Sequence, residues 1–523
     1  MRSIFIRSSI FSFLMLVLAA CGTNPVTGER ELQLVSESEE INIGSQQYTP
    51  TKQAQGGELS EYKELTAYIN DVGKRLAAQS HRPNLPYEFV VLDNNVPNAW
   101  ALPGGKIAIN WGLLLEMGDE AELAAVIGHE ITHATARHGA KSMERGLALQ
   151  AGMIGIMIGT AWTDEISQGA QQAIIGSAMV GSQLIATKYG RSAELESDLY
   201  GIEYMAKAGY DPQAAVRLQE TFVRLSKGNQ PNFLEGLFAS HPPSTERVEK
   251  NKQSVDSYQH LKPATGWIVN RDKYQQMIKP LHALRDSQIE LEKARKKLKD
   301  RDIVYALNDI EKAIDMAPES SSPYAMKAVA LLEQGDANAA QRQIDKALSL
   351  RPNYFKYHEI KAEIMETKGN SAAARASYSQ AHALLPTSQN AFALGELSLA
   401  AGDEPAARGY FAQVAKSNSA QKREASVQLA RLEIKTNPGK YIRAQGQVDQ
   451  LGQLYIGIGN GAPFAINELS LQVSLPDGRA TIVSINGAIP AFGQQTIRSQ
   501  LTGVSPEMAN SIQLRVVSIK PAS

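Results

Sequence analysis

The chain has 523 residues, with 53 basic and 54 acidic side chains, a net charge of −1 and 43% hydrophobic residues. This length suffices for three or four domains, and the even charge balance gives no sign of the clustered basic surface that nucleic-acid binding requires. The only cysteine is Cys21, which excludes an intramolecular disulfide.

The N-terminus carries Arg2 and Arg7, then an apolar run from Ile10 to Leu18, then Leu18-Ala19-Ala20-Cys21. Basic residues before a short apolar core predict an export signal over residues 1–20 rather than a retained transmembrane helix. Leu18 to Cys21 resemble a bacterial lipobox. That resemblance implies that Cys21 is lipidated as the first mature residue, and that Gly22 lets the protein pass to the outer membrane.

Further along, Gly104-Gly105 suits a tight turn, and Lys106-Ile107-Ala108-Ile109-Asn110 alternates like a strand beside the helix that follows. Such a strand either pairs with extended substrate through its main chain or is internal, with no free edge. Asn98, Trp100, Gly104 and Gly105 are the candidate residues of a substrate strand.

Asp119 to His138 reads as one continuous helix. Asp119 caps it with Glu122 at the capping-box position, Leu123, Val126, Ile127 and Ile131 supply a core stripe, and Gly139 marks the stop. Inside it stands His129-Glu130-Ile131-Thr132-His133. Histidines four apart on a helix lie about 40° apart around its axis, so both imidazoles reach one metal ion. Zinc accepts neutral imidazole nitrogens in a tetrahedron that keeps a place for water. A carboxylate beside it, here Glu130, can remove that water's proton.

Leu147 to Trp162 and Ile166 to Thr187 are apolar and glycine-containing, but short or interrupted for a bilayer. They predict a helical hairpin that packs over the zinc helices or makes shallow membrane contact. After it, Tyr189 to Asp198 predicts a second helix on which Glu194 and Asp198 stand four apart, one to bind metal and the other to buttress a ligand histidine. A metzincin pattern is excluded, because its required Gly and third His would fall on Ala136 and Gly139. In Ser240-His241-Pro242-Pro243, proline fixes the loop so that His241 can be aimed into the cleft. There His241 or Arg247 stabilises an oxyanion, or His241 occupies the open zinc position and holds the enzyme latent, or both residues brace the loop.

Taken together, the His129 to His133 motif, Arg191 with Glu194 and Asp198, and the stretch Asn98 to Gly105 resemble the HtpX and CAAX-prenyl-protease group of gluzincin metallopeptidases. The segment Ser240 to Arg247 resembles the His-Pro segment of the same group. The resemblance implies a zincin-like domain over residues 21–280 and one Zn2+ held by His129, His133 and Glu194. It makes Glu130 the general base and Asp198 a supporting residue or proton donor. Over residues 22 to 440 it extends to members that join such a domain to tetratricopeptide repeats. It therefore implies an outer-membrane lipoprotein facing the periplasm that hydrolyses misfolded or stalled outer-membrane or periplasmic proteins, with polypeptide substrates and, as partner, the outer-membrane assembly machinery or another protein in the repeat groove. The alternative is a chaperone or assembly factor that works through its repeats, with incidental proteolysis.

Between residues 285 and 440, Ala313, Ala347, Ala381 and Ala415 recur every 34 residues, followed at the same interval by Pro318, Pro352 and Pro386. This is the tetratricopeptide period. Gly335-Asp336, Gly369-Asn370 and Gly402-Asp403 fall at the turns between paired helices, the last one residue early. Stacked pairs would form a concave docking groove or a rigid spacer. From 445 to 523 the pattern alternates, as in Leu454, Ile456 and Ile458, and then Leu469, Leu471 and Val473. Asn460-Gly461, Asp477-Gly478 and Asn486-Gly487 are placed as turns. The expected fold is mainly α: a zincin-like metalloprotease domain with a small β-sheet, an α-solenoid of tetratricopeptide repeats, and a small C-terminal β-sandwich of immunoglobulin-like type.

Overall fold

The computed structural model describes residues 21–146, 189–227 and 236–522. The predicted signal segment and the predicted hairpin from Leu147 to Thr187 lie outside the described residues. The chain divides into two compact units, the first ending at Ile364 and the second beginning at Met365.

In the first unit a short hairpin, β1 (Cys21–Thr23) and β2 (Arg30–Leu32), precedes α1 (Glu37–Ala54), whose N-terminus is closed by a Ser36/Glu39 capping box. Next come α2 (Lys63–Ala77) and a three-stranded sheet of β3 (Glu88–Leu92), β4 (Ala99–Leu102) and β5 (Lys106–Asn110). Its order is β3-β5-β4, with β5 parallel to β3 and antiparallel to β4. Both edges of β5 are therefore paired, which removes the reading in which Lys106–Asn110 pairs with substrate. The edge strand on that side is β4, which packs against the next helix, α3 (Glu120–Thr135). Then come α4 (Arg191–Lys207), α5 (Gln213–Lys227), α6 (Thr245–Tyr258) and the long α7 (Arg271–Lys299). One apolar core joins them, with Ile69, Phe89, Ile107, Trp111, Leu123, Ile127, Ile202 and Tyr274 buried together.

The predicted continuous helix from Asp119 to His138 is interrupted. It stops at Thr135, Ala136 caps it, and Arg137 takes a left-handed conformation at φ +61°; helix resumes over residues 138–146 and includes Gly139. The reason is long-range. The Arg137 guanidinium is held by Glu40 of α1 and by the Val35 carbonyl, and these contacts stabilise a turn that local sequence does not ask for.

Gly104 and Gly105 shape the β4–β5 turn at φ +77° and +83°. A Cβ on Gly104 would lie 2.7 Å from the Ile41 backbone, and one on Gly105 would lie 2.8 Å from the Tyr87 ring. Both glycines are thus required by the turn and its close packing.

Helices α8 (Ile303–Met316), α9 (Ser321–Glu333), α10 (Ala337–Leu350) and α11 (Phe355–Thr367) begin the repeats. This part of the solenoid docks on the N-terminal helices and sheet through a buried polar cluster. Arg351, 1% exposed, pairs with Asp93 at 2.5 Å, donates to the Gly56 carbonyl and lies 4.1 Å over the Tyr354 ring. Ser322 and Trp111 donate to the same Asp93, each at 3.1 Å, and Ser321 donates to Glu61 at 2.8 Å.

The second unit holds α12 (Ser371–Leu384), α13 (Ser388–Ala400), α14 (Glu404–Ala415) and α15 (Lys422–Glu433). Helices α8, α10, α12 and α14 begin 34, 34 and 33 residues apart, which is the tetratricopeptide spacing with the predicted one-residue contraction. At the turns Gly335, Gly369 and Gly402 adopt φ of +92°, +72° and +77°, and Asp336, Asn370 and Asp403 cap the helices that follow.

The C-terminal strands are β6 (Ile442–Val448), β7 (Leu454–Asn460), β8 (Ile466–Ser474), β9 (Ala480–Ile489), β10 (Gln494–Arg498) and β11 (Gln513–Pro521). They form two antiparallel sheets, ordered β10-β7-β6 and β11-β8-β9. The buried faces meet in one core of Leu454, Ile456, Ile458, Leu469, Leu471 and Val473, which Ala430 of α15 also joins. The fold is a sandwich of six strands, one fewer than the immunoglobulin constant type. Asn486-Gly487 is no turn: it lies within β9, where the pairing with β8 shifts register between Ile466 and Glu468.

Breaking a buried ion pair strands the remaining charge. Arg351→Met, which leaves Asp93 without its cation, is expected to weaken docking of the repeats by about 3 kcal/mol. Hydrogen exchange checks this: amide protection should fall in residues 53–62 and in α9 and α11, while the α3–α4 region keeps its own.

Candidate active site

Helix α3 begins well, with the Asp119 side chain accepting from the Glu122 amide at 2.9 Å and Glu120 and Glu122 in the positive first turn. Its far half carries His129, Glu130 and His133, all buried. Helix α4 crosses α3 where Gly128 meets Gly201. A Cβ on Gly128 would lie 2.9 Å from the Gly201 carbonyl oxygen, and one on Gly201 would lie 2.9 Å from the His129 nitrogen. Only glycine permits this approach, and it brings Glu194 and Asp198 of α4 up to the histidines.

Nitrogens and oxygens converge there. His129 Nε2 lies 3.0 Å from His133 Nε2 and 3.3 Å from His241 Nδ1, while Glu194 Oε1 lies 3.0 Å from His241 Nδ1 and 3.5 Å from His133 Nε2. One donor atom from each of these four residues falls within 4.8 Å of all the others. A tetrahedral zinc with bonds of about 2.0–2.1 Å keeps its donors about 3.3 Å apart, so three imidazoles and one carboxylate in this arrangement suit the ion. Glu130 lies alongside, its Oε1 3.7 Å from His241 Nε2 and its buried Oε2 without a hydrogen-bond partner among the described residues.

Around the cluster stands a layer of supports. His129 Nδ1 is 2.9 Å from Asp198 Oδ1, which fixes the ring with Nε2 facing the cluster. Arg247 on α6 grips Asp198 with two hydrogen bonds of 2.7 Å, donates to the Pro242 carbonyl at 3.3 Å and lies 2.9 Å from Glu194 Oε2. Arg191 is far more exposed and pairs with Glu246, Nε to Oε2 at 2.6 Å, which links α4 to α6. His241 follows a single helical turn, Leu237–Ser240, whose first amide donates to the Pro97 carbonyl at 2.9 Å, just ahead of β4.

Electrostatics follow from burial first and partners second. Burial pushes the Glu130 carboxyl up despite the pull of His241 and His129, and drives His133 far below its ordinary value, so that ring is neutral. Burial also raises Glu194 and Asp198, but His241 and His133 outweigh it at Glu194 and Arg247 outweighs it at Asp198; both carboxyls end below their usual range. At His241 burial lowers the basicity, and Glu194 with Glu130 more than reverse that.

The structure thus gathers His129, Glu130, His133, Glu194, Asp198, His241 and Arg247. Trp100 lies on β4 with Asn98 just before it; Gly104 and Gly105 stand apart, against α1 and Tyr87. Sequence reasoning passed over three features. Gly128 and Gly201 carried a signal, since each is a glycine inside a helix with no turn to explain it. Tyr189 stacks on His133 with ring centres 4.0 Å apart. His138 places Nδ1 2.9 Å from His133 Nδ1, and its five-residue spacing gave no helical signal.

Among the described residues, no helix is long and apolar enough to cross a membrane. Residues 63–254 match the family model described as peptidase family M48. The chain is 32% identical over 184 residues to the beta-barrel assembly-enhancing protease of Yersinia pestis, covering 34% of this chain and 35% of that one. To the protein of the same name in Escherichia coli K12 it is 31% identical over 189 residues, with the same coverage. To the mitochondrial metalloendopeptidase OMA1 of Schizosaccharomyces pombe it is 30% identical over 228 residues, covering 43% of this chain and 64% of that one. These matches span about a third of the two bacterial relatives. With the donor cluster on α3 and α4, they establish that residues 63–254 form a peptidase family M48 domain homologous to that of the beta-barrel assembly-enhancing proteases.

Proposed function

We propose that the chain is a zinc-dependent endopeptidase of the bacterial envelope that hydrolyses misfolded or stalled outer-membrane and periplasmic proteins. The observation that carries this is the convergence of His129, His133 and Glu194 beside a buried Glu130 whose Oε2 has no hydrogen-bond partner among the described residues. The bound ion would polarise the scissile carbonyl and acidify the attacking water. Glu130 takes the water's proton at Oε2 and passes it to the leaving amine; its raised proton affinity suits both steps. Asp198 keeps His129 in its ligand tautomer. Arg247, its nitrogens already given to Asp198, Glu194 and Pro242, braces the two carboxylates instead of stabilising an oxyanion. An extended peptide adds to the edge strand β4 beside α3, held by main-chain bonds with little side-chain specificity.

Glu130→Gln tests the chemistry. Cleavage of unfolded protein should fall by at least about 1,000-fold, within the range of losses of essential catalytic groups. Stoichiometric zinc and trapped substrate should be retained. Full cleavage by this variant rules out the base. Loss of cleavage with retained envelope function favours instead an assembly factor acting through its repeats.

His241 fills the fourth corner of the donor cluster, which supports the latent reading over the oxyanion reading. His241→Ala should therefore cleave unfolded protein faster than the unsubstituted chain. A fall in rate assigns His241 to catalysis, and no change assigns it to bracing the loop.

Anchoring rests on the lipobox resemblance and on a cysteine that occurs once, at position 21. Fractionation of cells making Cys21→Ala should find the protein released from the membrane into the soluble periplasm; unchanged membrane association counts against a lipid at Cys21.

A further inference from the structure

The turn that ends α3 does more than stop a helix. Arg137 enters the left-handed region at φ +61°, unusual for a residue with a long side chain, and buried contacts with Glu40, Val35 and Glu144 hold it there. Just after this turn the buried His138 packs against His133, ring centres 4.9 Å apart at 72°, with the two Nδ1 atoms 2.9 Å apart.

Two ring nitrogens at that distance share one proton, and which ring owns it follows from the other ends. His133 Nε2 faces His129 and Glu194, so its lone pair belongs to the donor cluster and its proton sits on Nδ1. His138 Nδ1 is then the acceptor, and His138 carries its own proton on Nε2. That Nε2 lies 3.7 Å from Glu196 Oε1, and both atoms are buried with no hydrogen-bond partner among the described residues. Ser197 Oγ stands 3.5 Å from His138 Nδ1.

We propose that His138 is a positioning residue for the metal centre: by accepting the Nδ1 proton of His133 it fixes the tautomer and ring rotation that turn His133 Nε2 toward the ion. It does for His133 what Asp198 does for His129, but as a neutral acceptor. One ligand histidine is thus backed by a carboxylate and the other by an imidazole. The proposal rests on the metal-site reading above.

The test uses the full chain with Glu130→Gln, which prevents self-digestion, and measures Zn2+ affinity by competition with a chelator. Removing a hydrogen-bond partner behind a ligand typically costs 10–100-fold in metal affinity, so His138→Phe should weaken zinc by about that factor. His138→Gln, which restores an acceptor oxygen, should recover most of it. Nitrogen-15 spectra of labelled histidines in the zinc-loaded Glu130→Gln chain provide a second measurement, independent of whether His138→Phe folds. They should show the proton on Nδ1 of His133 and on Nε2 of His138. Unchanged affinity in His138→Phe, failure of His138→Gln to recover it, or the opposite tautomer overturns the proposal. If Glu130→Gln alone binds no zinc, the metal reading itself falls. If it binds zinc and the His138 substitutions leave affinity unmoved, only the role of His138 falls.

Discussion

Two helices crossing at a pair of glycines create the donor cluster. Packed helices ordinarily sit about 8–10 Å apart, a distance set by the side chains between them. At Gly128 and Gly201 there are none, and a single methyl group on either would meet backbone at 2.9 Å. This contact lets a carboxylate from α4 reach the nitrogens of His129 and His133. It also concentrates charge: Glu130, Glu194 and Asp198 are buried together, and among the described residues Arg247 is the one permanent cation inside the cluster. Three buried carboxyls share one guanidinium, and burial makes any negative charge left unpaired costly, a cost that a divalent cation would reduce.

The rest of the first unit acts to hold that crossing in register. Arg247 ties α6 to α4 through Asp198, and Arg191 with Glu246 makes a second tie nearer solvent. Just past the C-terminus of α3, Glu40 accepts from Arg82 and Arg137, and Glu144 accepts from the amides of Leu34 and Val35. Buried ion pairs are weak as net sources of stability, because desolvation cancels much of their attraction. Their geometry is nevertheless demanding. A left-handed Arg137 survives only while its guanidinium partners are in place, and on that turn depends the placement of His138 beneath His133.

Local chemistry made some of this legible in the sequence and long-range chemistry concealed the rest. The helix start at Asp119, the shared face of His129 and His133, and the repeat turns at Gly335, Gly369 and Gly402 are each set by residues within a few positions. The break at Arg137 was not legible, because the residue that stabilises it, Glu40, is 97 positions away. An alternating run such as Lys106–Asn110 reads the same whether a strand is central or at an edge, and only the sheet order decides. Asn486-Gly487 carries turn chemistry, yet pairing with β8 on both sides keeps it inside a strand as an irregularity. Its pairing with β8, not its own propensity, determines its conformation.

The segment from Asp93 to Asn98 concentrates these long-range constraints. At one end Asp93 accepts from Arg351 and Ser322 of the repeats and from Trp111 of the core. In the middle Asn94 caps the Val96 amide at 2.9 Å, and Asn110 donates to the Val96 carbonyl at 2.8 Å. At the other end the Pro97 carbonyl receives the Leu237 amide, which opens the turn leading to His241, and Asn98 leads directly into the edge strand β4. Docking of the first repeats, the seat of His241 and the start of β4 are therefore boundary conditions on one short piece of backbone. Residues that share partners in this way couple energetically instead of contributing independently. The first repeat helices, α8 to α10, and the cleft therefore share this backbone as a common support, even though among the described residues no side chain of those helices belongs to the donor cluster.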